Sequence, residues 1–154
     1  MKTIEAVEKA YGRTLPADYK AFVRGIDDYA ERYFKDDDWD DDFPGRPWFL
    51  WGVGRLGNPL VMRDVGTEPY FKALMLYTKM YADLRSSHAV SSPEGDLPVE
   101  RVAGGFAFGQ ENGDYIYMDP SDGFSVWIYY HDRGDVQWTS PSFSAWFTES
   151  EDAS

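Results

Sequence analysis

The sequence predicts an α+β fold: a mostly antiparallel sheet with N-terminal helices, a central helix and a short C-terminal helix packed on it. Three observations predict it. Apolar residues recur at helical spacing in the first third and again near the middle. The last third holds four aromatic and β-branched runs separated by turn residues, as antiparallel strands would be. The closing "SPSFSAWF" then returns to helical spacing.

Residues 2–12 place Ile4, Val7 and Tyr11 on one helical face, with Gly12 as a stop. In "RTLPADYKAFVRGIDDYAERYF", Pro16 suits a first helical position, and Asp18 sits where the helix dipole favours an acid. Tyr19, Phe22, Val23, Ile26, Ala30 and Tyr33 continue the stripe, so this helix is expected to run to about residue 34, across Gly25. Lys35–Pro47, "KDDDWDDDFPGRP", is a loop by composition. "WFLWGVG" and "PLVMRDVG" are expected strands. "EPYFKALMLYTKMYADLRS" predicts the central helix, with Tyr70, Leu74, Tyr77, Tyr81 and Leu84 on one face. A Ser/Pro/Gly loop, "SSHAVSSPEGDLP", follows. Then come "VAGGFAFG", "DYIYMD", "FSVWIYYHD" and "DVQWTS" as strands. For the closing helix, Ser140 is the expected cap and Pro141 the first residue. Residues 148–154 are expected to fray.

The 154 residues are expected to form one domain, long enough to bury a sizeable core. There is no cysteine, which excludes disulfides, thiolate metal sites and a cysteine nucleophile. Glu5 and Glu8 stand where a signal peptide needs apolar residues, and no apolar run approaches the ~20 residues of a membrane span. A cytoplasmic protein is the expectation. The formal net charge of −12 disfavours nucleic acid and anionic lipid as partners and favours basic ones. An aromatic content of 18% separates the chain from acidic disordered sequences.

"FGQENGDYIYMDPSDG", Phe108–Gly123, is rich in carboxylates and glycine. A calcium loop needs carboxylates at alternate positions and a closing Glu. Asp114, Asp119 and Asp122 lack that spacing, and Tyr115–Met118 read as a strand between them. "NGD" and "DPSDG" are turn chemistry, so these carboxylates are expected to fold the chain. His131 and Asp132 are adjacent, so on a strand they would point to opposite faces and make no base–orienter pair. "GVGRLGNP" lacks the Gly-Lys-Ser/Thr ending of a phosphate loop, and Pro59 cuts the helix that should follow; strand ends and a loop are expected there. No catalytic residue, cofactor or metal ligand is assigned.

Two stretches are candidates for contact with a partner. The first is Asp36, Asp37, Asp38, Trp39, Asp40, Asp41 and Asp42, an aromatic ring set in an acidic run. A solvated, solubilising loop is the alternative. The second is Trp127 and Tyr129, which alternate with Val126, Ile128 and Tyr130. Either the strand is covered on both faces, which is the favoured alternative, or these two rings face an interface.

The order of "IEAVEKAYGRTLPADYKAFV", "FGQENGDYIYMDPSDG", "VWIYYHD" and "SFSAWF" resembles the SUKH superfamily, which includes bacterial immunity proteins and a fungal regulator of cell-wall synthesis and killer-toxin resistance. The resemblance rests on Leu15-Pro16 with Tyr19, on Phe108-Gly109, on Gly113-Asp114-Tyr115, on Asp119, and on Phe143 with Phe147. It covers both ends of the chain and leaves residues 35–100 unmatched. It implies a single domain of α+β fold and a non-enzymatic protein that neutralises a cognate toxin, basic and often a nuclease, without cofactor. A regulatory or scaffold protein of the same fold is the alternative it implies.

Overall fold

The first helix, α1 (Ile4–Tyr11), is closed at both ends by its sequence. Thr3 Oγ1 accepts the Ala6 N–H at 3.1 Å, and Gly12 ends the helix in the left-handed region at φ 86°. Helix α2 (Ala17–Arg24) starts after Pro16, as expected, but stops at Gly25. Residues Tyr29–Phe34 are strand β1, not more helix. They pair antiparallel with β2 (Arg46–Trp51), from Tyr29↔Trp51 to Phe34↔Arg46. The Gly52 N–H donates to Asp28 O at 2.7 Å and fixes the start of that ladder. Arg46 and Pro47, expected in the loop, belong to β2. The computed structural model describes residues 1–35, 45–85 and 89–152.

A single helical turn, α3 (Val53–Leu56), follows β2 where strand ends and a loop were expected. Strands β3 (Pro59–Met62) and β4 (Gly66–Pro69) form a separate hairpin, and α4 (Ala73–Arg85) is the central helix. A small hairpin, β5 (Ala89–Val90) with β6 (Leu97–Pro98), occupies the Ser/Pro/Gly stretch. Helix α5 (Val99–Ala103) starts after Pro98 and takes the first residues of the stretch read as a strand.

The four expected strands are β7 (Phe106–Glu111), β8 (Asp114–Asp119), β9 (Ser125–Tyr130) and β10 (Asp135–Ser140). The last helix, α6 (Phe143–Glu149), is capped by Ser142 rather than Ser140; Ser142 Oγ accepts the Ala145 N–H at 3.1 Å. Ser140 is the last residue of β10, and its side chain is buried. Glu151–Asp152, expected to fray, form β11 and pair with Arg32 and Tyr33 of β1. Arg32 secures this tail: its Nε donates to Ser150 Oγ at 2.9 Å and its Nη2 to Ser150 O at 3.0 Å.

Seven strands form one sheet in the order β10-β9-β8-β7-β2-β1-β11, and every neighbouring pair is antiparallel. The mostly antiparallel α+β fold predicted from the sequence is the one observed. Alternation along the strands sends rings to both faces. On one face Trp51, Tyr115 and Tyr129 meet Tyr70 and Tyr77, the latter on α4. On the other, Tyr19 of α2 and Phe143 of α6 pack edge-on against each other and against Phe108, while Trp146 of α6 stacks on Phe34. Each such ring removes on the order of 150–250 Å² from water, so these contacts dominate the core.

Trp127 and Tyr129 follow from this layering. They are 4% and 0% exposed. Tyr129 lies under Tyr77, and Trp127 stacks on Tyr117 with 6.5 Å between centroids. Both rings are buried, as in the favoured reading of a covered strand; the alternative, in which Trp127 and Tyr129 present exposed rings, is not the arrangement seen. No helix among the described residues is long and apolar enough to cross a membrane.

Candidate functional site

The carboxylate-rich stretch resolves into three fixed side chains. Asp119 is 2% exposed at the end of β8; its Oδ1 accepts the Ser121 N–H at 2.9 Å, and its Oδ2 the Arg101 Nε–H at 2.8 Å. The first bond is the Asx turn that "DPSDG" predicts. Asp122 Oδ2 accepts the Ser125 hydroxyl at 2.7 Å, and Ser125 Oγ accepts the Trp127 Nε1–H at 2.8 Å. Asp114 stands at the opposite end of β8 from Asp119, as expected. All three carboxylates bind the chain's own turns, and Asp114 does so through a larger cluster.

That cluster joins three distant parts of the sequence. Asp114 Oδ2 accepts Arg46 Nη2–H at 2.8 Å, and Glu111 forms a second ion pair with the same guanidinium. Asp114 Oδ1 accepts the His131 main-chain N–H at 2.9 Å and lies 2.6 Å from His131 Nδ1. The His131 Nε2 is 2.9 Å from Asp132 Oδ1, so the adjacent pair does meet. Strand β9 ends at Tyr130, and beyond it the alternation that would separate the two side chains no longer applies. Tyr81 of α4 donates its hydroxyl to His131 O. Burial acts against the Arg46 charge, but hydrogen bonds to Glu111 and Asp114 outweigh it and leave its pKa raised. The result clamps the β7–β8 turn, the β9–β10 turn and the start of β2 together. Among the described residues, no group of three or more His, Asp or Glu side chains is placed to hold a metal ion.

An open groove lies at the other end of β9 and β10, with a volume of about 430 Å³. Trp127 and Trp138 line it, together with Glu94, Asp96, Asp122 and Arg101. Trp138 faces Trp127 across the ladder. It is 38% exposed, whereas Trp48, Trp51, Trp127 and Trp146 are at most 4% exposed. Arg101 is held by Asp119, and its guanidinium lies 5.7 Å from the Trp127 ring. Glu94 and Asp96 stand on the exposed tip of the β5–β6 hairpin. Asp122, through Ser125, links this rim to the buried indole below it.

Of the partner-contact residues expected from the sequence, Asp36, Asp37, Asp38, Trp39, Asp40, Asp41 and Asp42 lie outside the described residues. Their flanks are anchored: Phe34 under Trp146, and Arg46 in the ionic cluster. The strand of Trp127 and Tyr129 contributes one groove wall, through Trp127, but no exposed ring. Trp138 was missed. Its signal was present in "DVQWTS", the last strand of the run and therefore a candidate sheet edge, where one face of an aromatic can stay open to water.

The sequence matches the SMI1 / KNR4 family (SUKH-1) over residues 2–149. No curated protein and no solved structure matches it.

Proposed function

The chain belongs to the SMI1 / KNR4 family (SUKH-1), and from that premise we propose that it is a non-enzymatic immunity protein that binds and neutralises a cognate toxin domain. Membership supports a protein–protein interaction domain with an immunity or regulatory role. The observation that carries the finer reading is the condition of the carboxylates. The stretch richest in acid and glycine has Asp114, Asp119 and Asp122 committed to turns and ion pairs. Glu94 and Asp96 are exposed, and the formal net charge of −12 surrounds the chain with a negative field. Such a field favours a basic partner, and a toxin that grips phosphate is basic. The acidic run with Trp39 belongs to this proposal as a steering segment.

The test is co-expression of the chain with the toxin domain encoded beside it, scored as restored growth, followed by titration of the purified pair. Rescue with a complex that weakens as salt rises supports the proposal. A neighbouring toxin whose effect the chain does not relieve would sink it. Stoichiometric complexes with cell-wall or signalling proteins instead would make the chain a regulator of the same fold.

A further inference from the structure

We propose that the groove beside Trp138 receives an extended basic segment of the partner, with an arginine side chain laid on the Trp138 indole between Glu94, Asp96 and Asp122. The proposal rests on the interaction role above and locates its contact surface.

Trp138 is the starting point. A tryptophan on a sheet edge exposes one of the largest apolar faces a side chain can offer, and such rings are enriched among residues that dominate binding energy. Its neighbours show why it remains open. The Val136 N–H donates to Ser91 O at 3.0 Å, so the β5–β6 hairpin straps the edge of β10 there. Strand geometry turns the N–H of Trp138, two residues on, to that same outer side. The hairpin is a sheet of its own, and its tip closes in a turn in which the Gly95 N–H donates to Ser92 O at 3.1 Å. The groove of about 430 Å³ is the space left between tip and edge. An added strand segment fits a sheet edge of this kind.

Charge selects the occupant. Among the described residues three carboxylates line the groove, and the one cation, Arg101, already pairs with Asp119 at 2.8 Å. An incoming guanidinium gains the Trp138 face as a cation–π platform and the rim acids as hydrogen-bond acceptors. Arginine suits this place better than lysine, because its planar head stacks while its N–H groups reach sideways. An acidic segment would meet three carboxylates and a cation that is already paired.

The test titrates the purified chain with two probes: an extended Arg-Thr-Arg-Thr-Arg peptide and its Glu-Thr-Glu-Thr-Glu counterpart. Indole and amide NMR shifts are followed in each. Saturable shifts confined to Trp138, the Trp127 indole and residues 92–97, given by the arginine peptide only, are expected. Trp138→Ala should weaken that binding at least tenfold, and Asp96→Asn severalfold. Should Trp138→Ala not fold, Asp96→Asn and Glu94→Gln, on the exposed tip, carry the same test. Shifts spread over all surface carboxylates and unchanged by these variants would mean counterion binding only and overturn the proposal, as would no shift. The two proposals fail separately. A toxin bound equally well by Trp138→Ala sinks the groove and leaves neutralisation standing. A groove that binds the arginine peptide in a chain that protects against no toxin does the reverse.

Discussion

Asp114 Oδ1 lies 2.6 Å from His131 Nδ1 and accepts the same residue's main-chain N–H at 2.9 Å, while Asp114 Oδ2 holds Arg46. One carboxylate therefore ties two hairpin turns to the start of β2. Removing its charge takes one of two carboxylates, Asp114 and Glu111, from the partly buried Arg46 guanidinium. Asp114→Asn should destabilise the fold by ~2–4 kcal/mol, read as a lower urea midpoint at unchanged slope. A cost within error would show that the cluster does not hold the turns.

Gly113 tests the same corner by shape. Its φ is +88°, and a Cβ built there would stand 2.7 Å from His131 Cε1. The imidazole cannot easily yield, since both nitrogens face carboxylates. Gly113→Ala should cost roughly 2–3 kcal/mol, part left-handed backbone strain and part ring clash. In His131→Ala the same change should cost only ~1 kcal/mol, the backbone part. Equal costs in both backgrounds would mean the ring is not where the chain stops a side chain.

The Arg46–Asp114–His131 cluster was illegible in the sequence for a physical reason. Its members are brought together by strand pairing across the sheet, and no local period encodes that pairing. Elements with chemical punctuation were legible: Gly12 closing α1, Pro16 before α2, the Asx turn at Asp119. Helix α2 was overextended because Ala30 and Tyr33 fit a helical stripe, while the partner that makes them strand, β2, lies across the acidic run. Alternation in β9 was legible, but what covers Tyr129 is α4, some fifty residues upstream. The β5–β6 hairpin and α5 are too short for periodicity to register. The exposed side of Trp138 depends on where a six-residue hairpin tip turns away.

The indole of Trp127 supplies a third prediction. Its N–H is buried and bonded to Ser125 Oγ, whose own proton goes to Asp122. Ser125→Ala strands that donor and should cost ~1–3 kcal/mol. Asp122→Asn keeps an acceptor at an exposed position and should cost ~0.5 kcal/mol or less. Thermal melts of the two variants would rank them; the reverse order would show that the relay is held from the surface inward.

Glu8 links the two N-terminal helices and makes them sensitive to acid. Its Oε2 accepts the Leu15 N–H at 2.7 Å and pairs with Lys20 Nζ at 2.9 Å. The bond from Lys20, then that from Leu15, hold its pKa below the ordinary glutamate value. A group with a depressed folded pKa stabilises the fold above the unfolded pKa and loses that contribution as pH falls through the folded one. The contribution of Glu8, ~0.5–1 kcal/mol for a pair that water still reaches, should therefore be complete at neutral pH and fade below roughly pH 4. Glu8→Gln should be less stable than wild type at pH 7 and converge with it once the pH has fallen below the folded-state pKa of Glu8. Parallel curves across that range would remove the ionised Glu8 from the account.

The acidic run and the Trp138 groove make different kinetic demands on a basic partner. Six carboxylates between Lys35 and Phe43 act at a distance, so their effect belongs to encounter. Replacing Asp36, Asp37, Asp38, Asp40, Asp41 and Asp42 by Asn should slow association with the cognate toxin about tenfold and flatten its salt dependence, with dissociation little changed. Trp39 and Trp138 would act by contact, so Trp39→Ala and Trp138→Ala should mainly speed dissociation. Stopped-flow mixing at two salt concentrations separates the two effects. A run whose neutralisation leaves association untouched would be a solvated connection between β1 and β2, and recognition would fall to the groove alone.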